Sequence, residues 1–320
     1  MCTCIHQNSS NAYFGRNMDL DYDLDFKAIL LAEDFPIKFK KEKTLKKHYK
    51  IIGVGVLLDG YPLLCDGENE KGLAIAGLNF PTYAHYYKFH HSKKNYAPYE
   101  MVLLLLATCK NVKEVKTLLK EINILNISFN KDTKLTPLHY MVSDKKESIV
   151  IECLKDGMKV YDNKLNVLTN NPPFPYQCIR LMDYLHLTNE PFKNNMMPNI
   201  DVIPYSLGLD AISLPGDYSS TSRFIKSVYV NRYLIDEKDN GLGLFVTLSQ
   251  VLMPKGVVKT SKGYEFTRYS SCYDQSHPKL YYRTYLDPTI REVNIADPNL
   301  DKEKIVTYPL SYTFTSVKMN

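Results

Sequence analysis

Apolar positions along the chain recur with two different periods, and they do so in blocks. Residues 3–7 and 12–14 are strand-like runs flanking Asn8-Ser9-Ser10-Asn11, a cluster of turn formers, and together they predict an N-terminal hairpin. Residues 51–58, apolar and β-branched with glycines interleaved, predict a buried strand. Residues 72–78 predict another, closed by Asn79-Phe80-Pro81. The period then changes. Residues 99–109 are apolar on most sides, as expected of a buried helix. Asn111 stands at an N-cap position for a helix whose stripe is Val112, Val115, Leu118, Leu119 and Ile122. Strand-like runs return at 138–142, 149–153, 158–161 and 167–169. Residues 175–187, 222–234 and 242–253 read as helices, and from Tyr264 onward the chain is strand-like again, as in Leu280-Tyr281-Tyr282-Arg283-Thr284-Tyr285.

Strands grouped with strands and helices with helices predict an α+β fold rather than alternating βαβ units. With no internal repeat and no low-complexity linker, a single domain over residues 1–320 is expected. No glycine-rich loop opens a helix, so no nucleotide site is expected.

Composition narrows the function classes. A hydrophobic content of 44% over 320 residues is ample for a large core, and with no Trp the 25 Tyr and 13 Phe carry the aromatic packing. The net charge of +5, from 40 basic and 35 acidic residues, is too mild to point to nucleic acid. The lysines around Lys38–Lys43 and Lys46-Lys47 are mixed with acidic and apolar residues, so they read as a solvated segment and no nucleic-acid partner is expected. Cysteines at positions 2, 4, 65, 109, 153, 178 and 272 are odd in number and scattered, which fits a reducing compartment better than a disulfide framework. No signal peptide is expected from the first residues, and the longest apolar run, residues 101–107, is far short of the ~20 residues that span a bilayer. A cytoplasmic protein with no membrane partner is the expectation.

The candidate chemistry begins at Cys2. Removal of Met1 would give Cys2 a free α-amine, and a thiol with its own amine is a self-contained catalytic pair. An α-amine has a reference pKa of roughly 7.7–8.0, so part of it is neutral near pH 7 and can take the thiol proton, protonate a leaving amine and activate water. A cysteine at position 2 would otherwise be a small buried residue on the first strand. Three groups of polar residues raise its standing. Phe14-Gly15-Arg16-Asn17-Met18-Asp19 places Arg16 and Asp19 just after a strand that returns alongside Cys2, where a guanidinium favours thiolate and a carboxylate orients an ammonium. Asn79, at a strand end before Phe80-Pro81, can offer an amide to a developing oxyanion, and Asn170, in Leu168-Thr169-Asn170-Asn171-Pro172, can be held in the site or merely end its strand. Arg223, in Ser222-Arg223-Phe224 after Leu214-Pro215-Gly216-Asp217, stands at a helix start, a place that already favours anions. Each group has a plainer alternative as turn former or surface charge.

Taken together these segments resemble the choloylglycine hydrolase family, which holds bile salt hydrolases and penicillin V acylases. The resemblance is carried by Met1-Cys2-Thr3, by residues 14–19, by Asn69-Glu70-Lys71-Gly72-Leu73 with Ala76-Gly77-Leu78-Asn79-Phe80-Pro81, by Val167-Leu168-Thr169-Asn170, and by Leu214–Asp217 with Ser222–Phe224. It implies a four-layer αββα sandwich of the N-terminal-nucleophile type, a homotetramer and no cofactor. It implies Cys2 as nucleophile and base, Arg16 and Asp19 as its tuning and orienting groups, Asn79 in the oxyanion hole, and Asn170 and Arg223 completing the polar site. Gly77-Leu78-Asn79-Phe80-Pro81 is similar to the bile salt branch, whereas the acylase branch often has Tyr at the position of Asn79. The implied substrate is a conjugated bile acid cleaved at its glycine or taurine amide. By the same resemblance Leu20, Phe26, Leu58, Cys65 and Leu135 are candidates for the steroid cleft, each equally suited to the core. Cys65 departs from the family pattern, which has a small residue such as Ala there.

Two other readings compete. Cys2, Cys4 and His6 alternate and share one face of a strand, a possible start for a zinc site, but paired ligand spacing and a fourth ligand are missing, so no metal is expected. A non-catalytic sandwich that binds steroids or acyl chains would keep an apolar cleft without needing Cys2.

Overall fold

The computed structural model describes residues 1–8, 10–235, 240–301 and 303–320. The N-terminal hairpin forms as β1 (Cys2–Asn8) and β2 (Ala12–Leu20); Ser9 of its connecting turn lies outside the described residues. Next come β3 (Lys27–Leu31), β4 (Ile51–Leu58), β5 (Tyr61–Asn69), β6 (Ala74–Asn79) and the short β7 (Lys94–Tyr96). Helices α1 (Met101–Thr108) and α2 (Val112–Leu118) follow, and β8 (Ile122–Ile124) pairs with β7 in parallel. The strands β9 (Leu138–Ser143), β10 (Ser148–Leu154), β11 (Gly157–Asp162) and β12 (Val167–Leu168) lead to α3 (Phe174–Leu181), α4 (Ser220–Tyr233) and α5 (Leu242–Ser249). The last part is β13 (Val258–Thr260), β14 (Gly263–Asp274), β15 (Lys279–Thr284), β16 (Arg291–Asn294) and β17 (Ile305–Pro309).

These strands build two large antiparallel sheets. The first runs β12-β1-β2-β14-β15-β16, with β13 added on β14; the second runs β11-β10-β9-β6-β5-β4-β3-β17. They stack so that β1 and β2 face β6. Helices α4 and α5 cover the first sheet over β1 and β2, and α1 covers the second over β5 and β6, which gives the order helix, sheet, sheet, helix.

Side-chain alternation explains the layers. In β3, Ala28 and Leu30 join the cluster between the sheets while Ile29 and Leu31 join the cluster under α1; in β6, Ala74 and Ala76 point inward and Ile75 outward. A sheet buried on both faces needs apolar residues at nearly every position, which is why 51–54 and 149–151 read as continuous apolar runs. Helix α1 is apolar all round because it is enclosed: Met101 to Ala107 are all buried. Asn111 caps α2, its side chain accepting from the Glu114 N–H at 2.9 Å.

The structure corrects several boundaries. The stripe given to the helix after Asn111 ends at Leu118, and Ile122 belongs to β8. Helix α4 is capped by Ser219, not Ser222. Strands β3 and β5 had no counterpart in the sequence reading. The second half of β5, Asp66-Gly67-Glu68-Asn69, is polar yet wholly buried, so no apolar pattern marked it.

Leu105 is fully buried between α1 and the second sheet. Leu105→Ala is expected to lower unfolding free energy by about 2–5 kcal/mol. Urea denaturation checks this; a loss below about 1 kcal/mol would mean that α1 does not sit in a close-packed layer.

Candidate active site

Cys2 opens β1, only 2% exposed. On one side the hairpin register pairs Cys2 with Met18 and Cys4 with Arg16. On the other, β12 pairs Leu168 with Cys4, so the chain leaves β12 with Asn170 beside Cys2. Close approach of β14 to β2 requires Gly15, where a Cβ would lie 2.1 Å from the Ser271 carbonyl oxygen.

The space between the sheets holds the sulfur. Arg16, fully buried, donates through Nη2 to Cys2 Sγ at 2.5 Å and through Nη1 to the carbonyls of Gly77 at 2.7 Å and Cys65 at 3.3 Å. Its counter-charge is Asp66, 3.8 Å away and also fully buried. Asp66 accepts from Tyr269 and Tyr273 hydroxyls, each at 2.5 Å, and from Ser271 at 3.1 Å. Burial works against the Arg16 charge, but Cys2, Tyr269, Asp66 and Cys65 outweigh it and hold its pKa above the ordinary value. Burial pushes the Asp66 carboxyl up, opposed by Arg16 and by the three hydroxyls.

The main chain of Cys2 is held from the helix side. Its N–H donates to Asn170 Oδ1 at 2.8 Å. Arg223 donates to the Cys2 carbonyl and to Thr3 Oγ1, each at 2.6 Å, to Asn170 Oδ1 at 2.8 Å and to the Tyr218 carbonyl at 3.1 Å. Asp217 builds the start of α4 that aims Arg223: its carboxylate accepts from the Ser219 N–H and the Ser222 hydroxyl. Asp19 lies 4.0 Å from Arg223, and its Oδ1 accepts from Thr267 at 2.6 Å, whereas Oδ2 has no hydrogen-bond partner among the described residues. The Met1 carbonyl accepts from the Asp19 N–H, and the Met1 amine donates to the Asp19 carbonyl and pairs with Glu265.

A model of linear amide C–N hydrolases, choloylglycine hydrolase family, matches residues 2–308. The chain belongs to the choloylglycine hydrolase family. Bile salt hydrolase/transferase of Lactiplantibacillus plantarum is 40% identical over 314 residues, 97% of each chain. The protein of the same name from Clostridium perfringens is 34% identical over all of both chains. A solved variant of conjugated bile acid hydrolase from Clostridium perfringens superposes over the full length of both chains with a TM-score of 0.92 at 33% identity. Penicillin V acylase from Agrobacterium tumefaciens shares the fold, with a TM-score of 0.73 at 17% identity over 93% of this chain and 88% of its own. The fold is thus the four-layer αββα sandwich of N-terminal-nucleophile hydrolases, and the chain is a hydrolase of linear amide bonds.

Within this choloylglycine hydrolase the structure brings Cys2, Arg16, Asp19, Asn170 and Arg223 together. Arg16 and Asp19 lie inside β2 rather than after a strand, and their odd spacing turns them to opposite faces, one to the sulfur and one to Arg223. Asn79 takes part through its carbonyl, which accepts from Asn170 Nδ2 at 2.7 Å. Of the cleft candidates, Leu20 and Cys65 pack half-buried against the cluster that contains Cys2. Phe26 is buried inside that cluster, edge-on to Tyr269 at 5.0 Å, and so is core. Leu58 ends β4 at the turn formed by Asp59 and Gly60, and Leu135 packs with the cluster under α1, away from the one holding Cys2. His6 Nδ1 meets Asn166 Oδ1 at 3.2 Å while Cys2 meets Arg16, and among the described residues no His, Cys, Asp and Glu group is arranged to hold a metal. Sequence reasoning missed Asp66, Thr267, Tyr269, Ser271 and Tyr273. Their signal was the alternation of hydroxyl residues 269, 271 and 273 along one strand face opposite a buried acidic residue.

Burial raises the thiol pKa of Cys65 to about 12 and that of Cys4 well above the ordinary value. Iodoacetamide at pH 7 is therefore expected to label Cys2 at least about tenfold faster than Cys4 or Cys65, since thiolate is the reacting form. Peptide mapping by mass checks this, and comparable labelling of Cys65 would remove the distinction between the two thiols beside Arg16.

Proposed function

We propose that the protein is a bile salt hydrolase: it cleaves the amide of glycine- or taurine-conjugated bile acids through a thioester on Cys2, once Met1 has been removed. The observation that carries this reading is the double hold on Cys2, with Arg16 Nη2 2.5 Å from its sulfur and Asn170 Oδ1 2.8 Å from its nitrogen. The bile salt names of relatives 34–40% identical over nearly full length support the substrate.

In the proposed reaction the Cys2 amine takes the thiol proton and the thiolate, facing Arg16, attacks the amide carbonyl. Asn79 contributes an amide to the oxyanion hole, with Asn170 and Arg223 completing the polar surroundings. The amine then protonates the departing glycine or taurine nitrogen, and the C–N bond breaks to leave the thioester. Water, deprotonated by the same amine, hydrolyses it. Asp19 Oδ2, an acceptor with no hydrogen bond among the described residues, is suited to orient the ammonium form. Residues 1–320 are proposed to act as one catalytic domain, in the cytoplasm, as a homotetramer and without cofactor. The scattered cysteines support the compartment, and no described helix is long and apolar enough to cross a membrane.

The test is a side-by-side assay with glycocholate, taurocholate and penicillin V. The bile salts are expected to show the higher kcat/KM, by about tenfold or more, because the smaller Asn79 stands where a Tyr would narrow the cleft. Equal or better turnover of penicillin V would move the protein to the acylase branch, and no turnover of either bile salt would overturn the substrate.

The environment of the amine sets a pH dependence. Burial lowers the pKa of the Met1 amine; Cys2 and Asp19 raise it in part, while Arg223 and Arg16 add to the lowering. The Cys2 amine is expected to feel the same groups. A lowered pKa keeps the amine neutral and basic to lower pH, so the acid limb of kcat/KM should have its midpoint below the 8.0 of an ordinary terminus. A midpoint above 8.0 in the pH profile would contradict an amine base in this setting.

A further inference from the structure

The loop carrying Asn170 is gripped from the second sheet by two buried side chains that take no part in the reaction above. His139 on β9 and Glu152 on β10 are both fully buried. His139 Nε2 lies 2.9 Å from the Thr169 carbonyl oxygen, which can only accept, so this nitrogen carries its hydrogen. Nδ1 lies 3.3 Å from Glu152 Oε1, and the same oxygen accepts the Phe174 N–H at 2.9 Å. The Phe80 ring stacks on His139, centroids 4.2 Å apart and planes 5° from parallel. Phe80 follows Asn79, whose carbonyl accepts from Asn170 at 2.7 Å.

The pair thus fixes main-chain groups on both sides of Asn170 and, through Phe80, the strand end that Asn170 reaches. A buried pair of this kind is a weak source of net stability, since apolar residues of equal volume often do as well. What apolar residues cannot do is bond the Thr169 carbonyl and the Phe174 N–H. Asn170 must meet Cys2, Arg223 and Asn79 at once, and a displacement of about 1 Å in such a group can cost up to about a hundredfold in rate. Its main-chain N–H is also tied to Ser220 Oγ at 2.9 Å, so loss of the clamp would shift the loop rather than free it.

We propose that His139 and Glu152 are positioning residues for catalysis: they set the loop from Thr169 to Phe174 so that Asn170 engages the nitrogen of Cys2. This rests on the reading of Cys2 as the nucleophile of a bile salt hydrolase. The two are separable, because an inactive wild-type protein fails that reading, whereas an active one whose His139 variants behave normally fails only this proposal.

The experiment compares His139→Leu with His139→Gln in the full-length enzyme on glycocholate. Leu fills space without a donor, and Gln places an amide N–H near the position of Nε2. The expected result is kcat lower by about tenfold or more in His139→Leu with KM within about threefold, and recovery to within about threefold of wild type in His139→Gln although both have a reduced Tm. Unchanged kcat in His139→Leu overturns the proposal. So does an equal loss in both variants, which would mark a purely structural role. Glu152→Met, close in volume but without an acceptor for the Phe174 N–H, covers the case in which His139→Leu does not fold. There kcat should drop about threefold or more at unchanged KM, and wild-type kcat would overturn the proposal.

Discussion

Two guanidinium groups buried on opposite sides of one cysteine set the terms for the interior of this protein. Arg16 is fully buried and Arg223 is 1% exposed. An unpaired charge in such a place costs several kcal/mol, so each must be surrounded by acceptors. For Arg223 these are carbonyls, a hydroxyl and the Asn170 amide, with Asp19 at 4.0 Å. For Arg16 they include the carbonyls of Asn17, Cys65 and Gly77, Asp66 and the sulfur of Cys2. The sulfur is thus one of the acceptors that make burial of Arg16 tolerable, and the cation in turn faces whatever negative charge the sulfur gains.

The fold follows from where those acceptors originate. Arg16 needs the edge of β6 and the bulged part of β5, which belong to the second sheet. Arg223 needs α4 on the far side of the first sheet and the end of β12. Only a stack in which the first sheet lies between a helix and a second sheet supplies both. Asp66 extends the chain of dependence to β14, whose Tyr269, Ser271 and Tyr273 point across the interior at one carboxylate. A seam this polar between two sheets is stable only when its hydrogen bonds are satisfied, and around Asp66 they are.

Much of this was legible in the sequence, and the rest was hidden for a definable reason. Elements that obey one rule were readable: the enclosed helix α1, the capped helix after Asn111, and the all-apolar strand β4. Cys2, Arg16, Asp19, Asn170 and Arg223 were legible as a set through their resemblance to a family, although spacing alone gave each a plainer alternative. Strand β5 was not readable, because its buried half is Asp66-Gly67-Glu68-Asn69 and hydrophobic pattern does not mark a strand that buries carboxylates. Leu135 stayed open between cleft and core because sequence shows that a residue is apolar but not which of two apolar clusters it packs against. His139 and Glu152, on strands read correctly for their apolar partners, were invisible because their significance lies in loop contacts 30 and 22 residues away.

The proposed reaction stands on the sulfur of a cysteine that carries its own free amine. Rapid acid quench of the enzyme during glycocholate turnover, followed by mass analysis of the N-terminal peptide, probes that group itself. The expected peptide begins at Cys2 and carries a cholyl group in thioester linkage. An active enzyme whose N-terminal peptide retains Met1, or whose acyl group is found on Cys4 or Cys65, would contradict it.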